Sequence, residues 1–504
     1  MSCHKQHPLS GLSVPKGAVR LFALAVLPLA LALVFAVAPQ SARSKPLVTG
    51  VSYIDEEGPT SFDRVRRSGV RMVHIWLLWH KVAPAIEPAS WDPKNPADQN
   101  YDWSWLDQWV SDATEAGLEP VLQIHGTPAW AQGCTTRPGI GVSPAAPCNP
   151  APAKLADFAQ AASRRYSGSF GGLPRVKFWQ VLNEPNLLLF FGPQFNANGS
   201  PAAPSLYREL LAATYPAIKS GNPGNMVIGG GLAPNGVPNY GIAPLDFARR
   251  LFCMNRSNKP IRSTNKCRGG VKLDIFDMHP YTSGGPTHKA FGEDNVQMGD
   301  LGKLTSVLRA AERANRISGV KSSTPLWITE MSWDSSPPDP GGVPMSILTR
   351  WTAEALYRSW KVGVSKFFWF SLRDQAPGDL PWSDTLQSGL YFRGDSIEQD
   401  RPKRSLKAFR FPLVAYSKKG KGGVYYWGKT PNSKSGRVVI QFKTGGGWRR
   451  IEVGRARAGG VFAAFVKSKA ASHKRGFVRA IYRKEKSVPF DLKPVKDFFQ
   501  RPFG

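Results

Sequence analysis

From Leu47 to about Phe411 the chain alternates short apolar runs with amphipathic stretches. The apolar runs are rich in Val, Ile and aromatic residues, the texture of strands buried on both faces of a parallel sheet. The first four are LVTGVSY (47–53), RMVHIWLL (71–78), EPVLQIHG (119–126) and VKFWQVLN (176–183). The later four are MVIGGGL (226–232), LDIFDMH (273–279), LWIT (326–329) and KFFWFSL (366–372). Between them lie patterns of helical period, such as Leu106, Val110, Ala113 or Leu155, Phe158, Ala162. Eight strands with seven intervening helices and a closing one near Ser405–Phe409 predict an α/β (β/α)8 TIM barrel over residues 46–411. A doubly wound open sheet would carry a Gly-rich phosphate turn after its first strand, and GVSYIDEEGP supplies none.

After Pro412 the texture changes. The runs VYYWG, RVVIQF, RRIEV, GVFAAFV and FVRAIY are separated by Gly-, Ser- and Lys-rich turns, predicting a sandwich-like antiparallel β domain over 412–504. Charge divides along the same line. Residues 401–504 hold 27 Lys and Arg against 4 Asp and Glu, about +23 of the formal +30. The segment has no recognition-helix pattern and no RNA-binding aromatic motif, which argues against specific nucleic-acid reading. An anionic cell-envelope polymer or lipid surface is the expected partner.

At the other end, Lys5, Lys16 and Arg20 precede an uncharged apolar run, Leu21 to Ala38. Residues 1–45 are expected to be a signal peptide or a retained membrane anchor, so the protein is exported or held outside the cytoplasm. The four cysteines beyond this leader allow three pairings. Each adjacent pair closes a short Pro- or Gly-containing loop, and an oxidising compartment favours Cys134–Cys148 and Cys253–Cys267, pinning the loops after strands three and five. The alternative is four free thiols. No HExxH, CxxC or Cys/His cluster suggests a metal, and no cofactor motif is present.

In a TIM barrel, polar groups at the C-terminal ends of the strands face the active site. Those ends carry His125, Asn183 with Glu184, His279 with Tyr281, Glu330 and Trp369. Glutamates ending strands four and seven can converge over the barrel axis, and hydrolysis of a glycosidic bond needs such a pair. The competing reading of His125 and, less so, of His279 is a satisfied core histidine. The alternation through Phe367, Phe368, Trp369 and Phe370 leaves Trp369 either over the site or within the barrel packing.

WQVLNEPN (179–186), MHPY (278–281) and LWITEMSW (326–333) resemble clan A of the glycoside hydrolases. The resemblance is to the β-xylosidase and α-L-iduronidase family and related exopolysaccharide hydrolases. It covers roughly Val48 to Phe411. It implies a retaining glycosidase with Glu184 as general acid/base and Glu330 as nucleophile. It further implies that Asn183 bonds the sugar 2-hydroxyl, Tyr281 holds the nucleophile beside His279, and Trp369 floors the bound carbohydrate. One departure stands out: where many relatives place an arginine in strand two, this chain has His74, with Arg71 nearby. The competing reading is a non-catalytic carbohydrate- or envelope-binding protein on the same scaffold.

Overall fold

The eight apolar runs form eight parallel strands, because each is covered by helices outside and by its opposite numbers inside the barrel. They are β1 (Val48–Ser52), β2 (Met72–Leu78), β3 (Glu119–His125), β4 (Phe178–Val181), β5 (Met226–Leu232), β6 (Ile275–Met278), β7 (Leu326–Ile328) and β8 (Val364–Phe370). Each bonds its sequence neighbours, and β8 pairs with β1 to close the ring. The structure is a computed structural model that describes residues 46–52, 54, 59–134, 145–261, 267, 269–320, 322–418, 422–468 and 475–494. Among these no helix is long and apolar enough to cross a membrane, and the run Leu21–Ala38 lies outside them.

A helix follows every strand: α1 (Pro59–Arg67), α2 (Ser104–Glu115), α3 (Pro152–Arg165), α4 (Ala203–Gly221), α5 (Pro244–Leu251), α6 (Leu301–Arg313), α7 (Met345–Lys361) and α8 (Arg404–Arg410). Proline opens α3 and α5, where its fixed φ suits the first turn and its missing N–H costs nothing.

The barrel interior is layered. Met72, Val121, Phe178, Ile228, Ile275, Trp327 and Phe368 form an apolar plug, each from a different strand. Gly50 takes the β1 place, since a Cβ there would stand 2.3 Å from the Phe368 ring. Two residues further along each strand the side chains face inward again. There the layer is polar: His74, Gln123, Gln180 and Asp277, all fully buried or nearly so. The strand ends rise above it.

The chain continues into two antiparallel sheets. One comprises β9 (Leu413–Lys418), β10 (Gly423–Lys429) and β13 (Val461–Lys467). The other comprises β11 (Gly436–Lys443), β12 (Arg449–Ala456) and β14 (Phe477–Tyr482). Val424, Tyr426, Val438, Ile440 and Val478 lie buried between them, as in a sandwich. On the other side of the first sheet Trp427 packs on Tyr357 and Trp360 of α7, at 5.6 and 5.7 Å between rings. From Ser44 onward the chain clusters as one compact unit, so barrel and sandwich share a continuous core.

Both cysteine pairs are bridged, with Cα atoms 5.5 Å apart for Cys134–Cys148 and 5.9 Å for Cys253–Cys267. The first closes the connection after β3, as expected. The second does not pin the active-site loop after strand five. Helix α5 intervenes, so Cys253–Cys267 staples the α5–β6 connection at the opposite end of the barrel.

Lys429 is fully buried where the sandwich meets the start of β1, and among the described residues its Nζ reaches only the Thr49 hydroxyl, at 3.3 Å. Burial, with Arg71 adding to it, lowers its pKa to about 8. Between about pH 8 and the ordinary lysine value the folded chain sheds this proton before the unfolded chain does, so stability rises with pH across that window. Lys429→Met is expected to stabilise the fold at pH 7 by up to about 3 kcal/mol. Chemical unfolding of both forms at pH 7 and at about pH 10 checks this, and the advantage should shrink at the higher pH.

Candidate active site

Glu184 and Glu330 follow β4 and β7 and lie at the same end of the barrel. Both are buried, at 8% and 6% exposure, in a position where an unpaired charge would be costly. The backbone is bent to put them there: Leu182 and Glu184 have φ of 62° and 37°, a left-handed region that branched and long side chains avoid. Such outliers gather at functional sites, where the surrounding structure holds them in place. Gly231, also at positive φ, accepts the Glu184 N–H and leaves room for the Gln180 amide, which a Cβ would approach to 2.7 Å. The run MVIGGGL is thus strand backbone with no phosphate loop.

His279 stands between the carboxylates. Its Nδ1 lies 2.9 Å from Glu184 Oε1 and 3.6 Å from Glu330 Oε2, and oxygens of both glutamates and a ring nitrogen all fall within 4.8 Å of one another. Its Nε2 donates to Thr329 Oγ1 at 2.9 Å, and the Thr329 hydroxyl donates to Asp277. Asp277 also accepts from Gln180 Nε2 at 3.2 Å and from the Thr329 N–H at 3.0 Å. Gln180 Oε1 in turn takes the His74 Nε2–H at 3.0 Å.

These bonds determine protonation. Burial works against a charged His279, but Glu330, Asp277 and Glu184 together hold it well above the usual histidine range. It is an imidazolium donating from both nitrogens. Glu184, His279 and Glu330 are also the group among the described residues whose spacing could suit a cation. His74 goes the other way: burial lowers it to about 4, so it is neutral. Burial pushes Glu330 up to about 7; His279 and the Tyr281 hydroxyl pull it down, and Glu184 and Asp277 add to the rise. The imidazolium sits closer to Glu184 than to Glu330.

The remaining expected residues divide. Tyr281 donates to Glu330 Oε2 at 3.1 Å, and Glu330 Oε1 is buried without a hydrogen bond among the described residues. Asn183 accepts the Gln123 amide at 3.0 Å, which keeps its own N–H2 as a donor for a ligand. His125 lies on the β2–β3 side, its ring 5.3 Å from Trp76 and 5.9 Å from Phe190. With His80, Leu78 and Leu189 these line a largely apolar pocket of about 210 Å³. Burial lowers His125 to about 3, so it is neutral.

Trp369 is not over the site. It is fully buried on the outer face of β8, 5.8 Å from the Phe409 ring of α8, and its indole N–H donates to the Ser388 carbonyl at 2.7 Å. Period-two alternation turns Phe370 inward instead, with its ring 6.4 Å from that of Tyr281. Arg71 is also remote: its guanidinium bonds the Asn432 carbonyl at the sandwich. Sequence reasoning passed over Asp277, Gln180, Thr329 and Phe370. Their signal was available, since each lies two residues beyond a member of the apolar plug.

No protein-family profile matches the sequence, and no curated protein is significantly similar to it. Solved structures do match. A family 39 glycoside hydrolase from the gut symbiont Bacteroides cellulosilyticus WH2 superposes with a TM-score of 0.50 at 17% identity, over 84% of this chain and 81% of that one. The chain has this fold. A family 39 β-xylosidase from Caulobacter crescentus aligns with a TM-score of 0.48 at 18% identity, over 79% and 82% of the two chains.

Two substitutions test the geometry. Trp369→Ala is expected to cost about 3–5 kcal/mol in urea unfolding, the loss of a buried aromatic. A sugar platform would instead leave stability nearly unchanged. Asp277→Asn removes the carboxylate below His279, so the histidine pKa should fall by about one unit or more, followed by NMR of ring-labelled histidine.

Proposed function

We propose that this protein is an exported, retaining glycoside hydrolase that cleaves O-glycosidic bonds of a poly- or oligosaccharide by double displacement. The observation that carries the reading is the buried Glu184–Glu330 pair at the ends of β4 and β7, with oxygens within 4.8 Å of each other. That closeness is compatible with carboxyl groups about 5–5.5 Å apart, the retaining arrangement. The fold shared with a family 39 glycoside hydrolase supports the same class. The two disulfides support an oxidising, extracytoplasmic location. Residues 412–504 form the second, basic domain of this reading.

Glu330 attacks the anomeric carbon while Glu184 protonates the departing oxygen, giving a glycosyl ester on Glu330 and a free alcohol. Water then attacks the same carbon as Glu184 takes its proton, and Glu330 leaves as carboxylate. The first step needs one proton on the pair, residing on Glu184. In the free protein burial favours Glu330 as its holder. Positive charge growing on the sugar ring beside Glu330 favours the ionised nucleophile, and the proton then belongs on Glu184. Once the ester forms, Glu330 is neutral and Glu184 no longer faces a repelling carboxylate.

A purely carbohydrate-binding role would leave unexplained the buried Glu330 oxygen that has no hydrogen bond among the described residues. Glu330→Ala should abolish turnover of an aryl glycoside. Glu184→Ala should keep activity on substrates with good leaving groups, and azide should rescue it with retained configuration. An inverted azide product would reverse the two roles. The pair must hold one proton, so kcat/KM of the native protein should fall as pH rises through about 7.

A further inference from the structure

The outer face of the second sheet of the sandwich has no covering layer among the described residues, and its register sorts its side chains by chemistry. Val438, Ile440, Phe442, Val478, Ala480 and Tyr482 point into the sandwich. On the opposite face Arg437 lies beside Arg455, and Gln441 lies beside both Arg450 and Arg479. Between these two basic rows run Val439, Val453 and Ile481, side by side across three strands. Arg479 stacks on Trp448, with its guanidinium 4.0 Å from the ring, and bonds Gln441 at 2.8 Å. Lys443 and Lys486 extend the face, Lys486 opposite Ile481.

The acids nearby are turned away or engaged. Glu452 sits opposite Ile440, on the buried side of the register, and Glu485 pairs with Arg410 at 2.8 Å. The face is therefore a flat apolar stripe bracketed by cations that have no carboxylate partner on it among the described residues.

We propose that this face binds a linear acidic polysaccharide lying across the strands. The rows are four residues apart, so they stand roughly 13 Å from each other, and the stripe crosses three strands over roughly 10 Å. A sugar chain laid along the stripe puts the C–H faces of its rings on Val439, Val453 and Ile481. Its carboxylates then meet arginines on both sides. Arginine suits this task, because its planar fork takes a carboxylate through two hydrogen bonds and its face stacks on aromatic rings. A membrane is a poorer fit: insertion needs apolar side chains that protrude, whereas of the three in the stripe Val439 and Ile481 are half-buried and Val453 alone is exposed. The inference goes beyond the hydrolase reading and does not require it.

The test measures binding of the full-length protein to polygalacturonate, to dextran and to phosphatidylglycerol vesicles. Arg437→Gln/Arg455→Gln/Arg479→Gln removes three charges from the face. Lys259→Gln/Lys272→Gln/Lys361→Gln removes three exposed charges elsewhere and controls for net charge. The native protein should bind polygalacturonate at low salt and lose at least about tenfold in affinity between about 0.1 M and 1 M NaCl, as the Debye length shrinks. At low salt the arginine variant should lose about tenfold and the lysine variant about twofold or less. Dextran should bind neither. Equal losses in both variants would reduce the face to bulk charge and overturn the proposal, as would an arginine variant that binds like the native protein. Tighter binding to vesicles than to polygalacturonate would assign the face to a membrane instead. Hydrolysis of an aryl glycoside, measured on the same samples, reports separately on Glu184 and Glu330.

Discussion

A closed parallel barrel admits little water below its mouth, so every polar side chain it encloses must be satisfied by another enclosed side chain. Unmet donors and acceptors in such a place cost about 1–3 kcal/mol each, more when charged. Part of the layer above the apolar plug meets this demand as a single directed chain, while His74 Nδ1 and Gln123 Oε1 stay buried without a hydrogen bond among the described residues. His74 donates to Gln180, Gln180 to Asp277, Thr329 to the same carboxylate, His279 to Thr329 and, from its other nitrogen, to Glu184. The members come from four strands and their ends: His74 from β2, Gln180 and Glu184 from β4, Asp277 and His279 from β6, and Thr329 from β7. The direction of donation leaves each atom one reasonable role. Reversing one donor would leave two acceptors facing each other.

That constraint also explains where the charge sits. Three carboxylates, Asp277, Glu184 and Glu330, converge on one imidazolium. In the resembling family an arginine often stands in strand two; here His74 occupies strand two and is neutral. The cation among these carboxylates is His279, within reach of both Glu184 and Glu330. An arginine is permanently charged, whereas an imidazolium can release its proton. The electrostatics of this site are consequently tied to the integrity of the Asp277–Thr329 contact, which lies beyond hydrogen-bonding reach of either glutamate.

The barrel was legible because buried parallel strands produce continuous apolar runs, and all eight fell within two residues of their observed starts. Glu184, Glu330 and Tyr281 were legible because strand ends in this fold point one way. Trp369 was misplaced because a run such as Phe367–Phe370 is apolar on both faces, so the sequence alone gives no phase to the alternation. Phase came from the partner strand: Val51 opposite Trp369 faces the helices, and Gly50 opposite Phe368 makes room inside. Asp277 and Gln180 escaped notice for a related reason. A single polar residue inside an apolar run reads as a tolerated exception until a neighbouring strand supplies its partner at the same height.

The charge asymmetry of the chain is compatible with this acid-rich site only because the two are far apart. The sandwich meets the barrel at its closed end: Lys429 reaches Thr49 near the start of β1, and Arg71, just before β2, bonds Asn432. Glu184 and Glu330 sit at the opposite end. Strand β2 alone, with seven residues, spans roughly 20 Å. That is more than twice the Debye length at physiological ionic strength, about 8 Å. His279, beside both Glu184 and Glu330, is the far nearer cation. What the face can do is raise the concentration of a polyanion around the whole molecule, an effect on encounter that leaves the chemistry of the pair unaltered. That separation lets one part of the chain carry about +23 while the other holds a cluster of buried carboxylates.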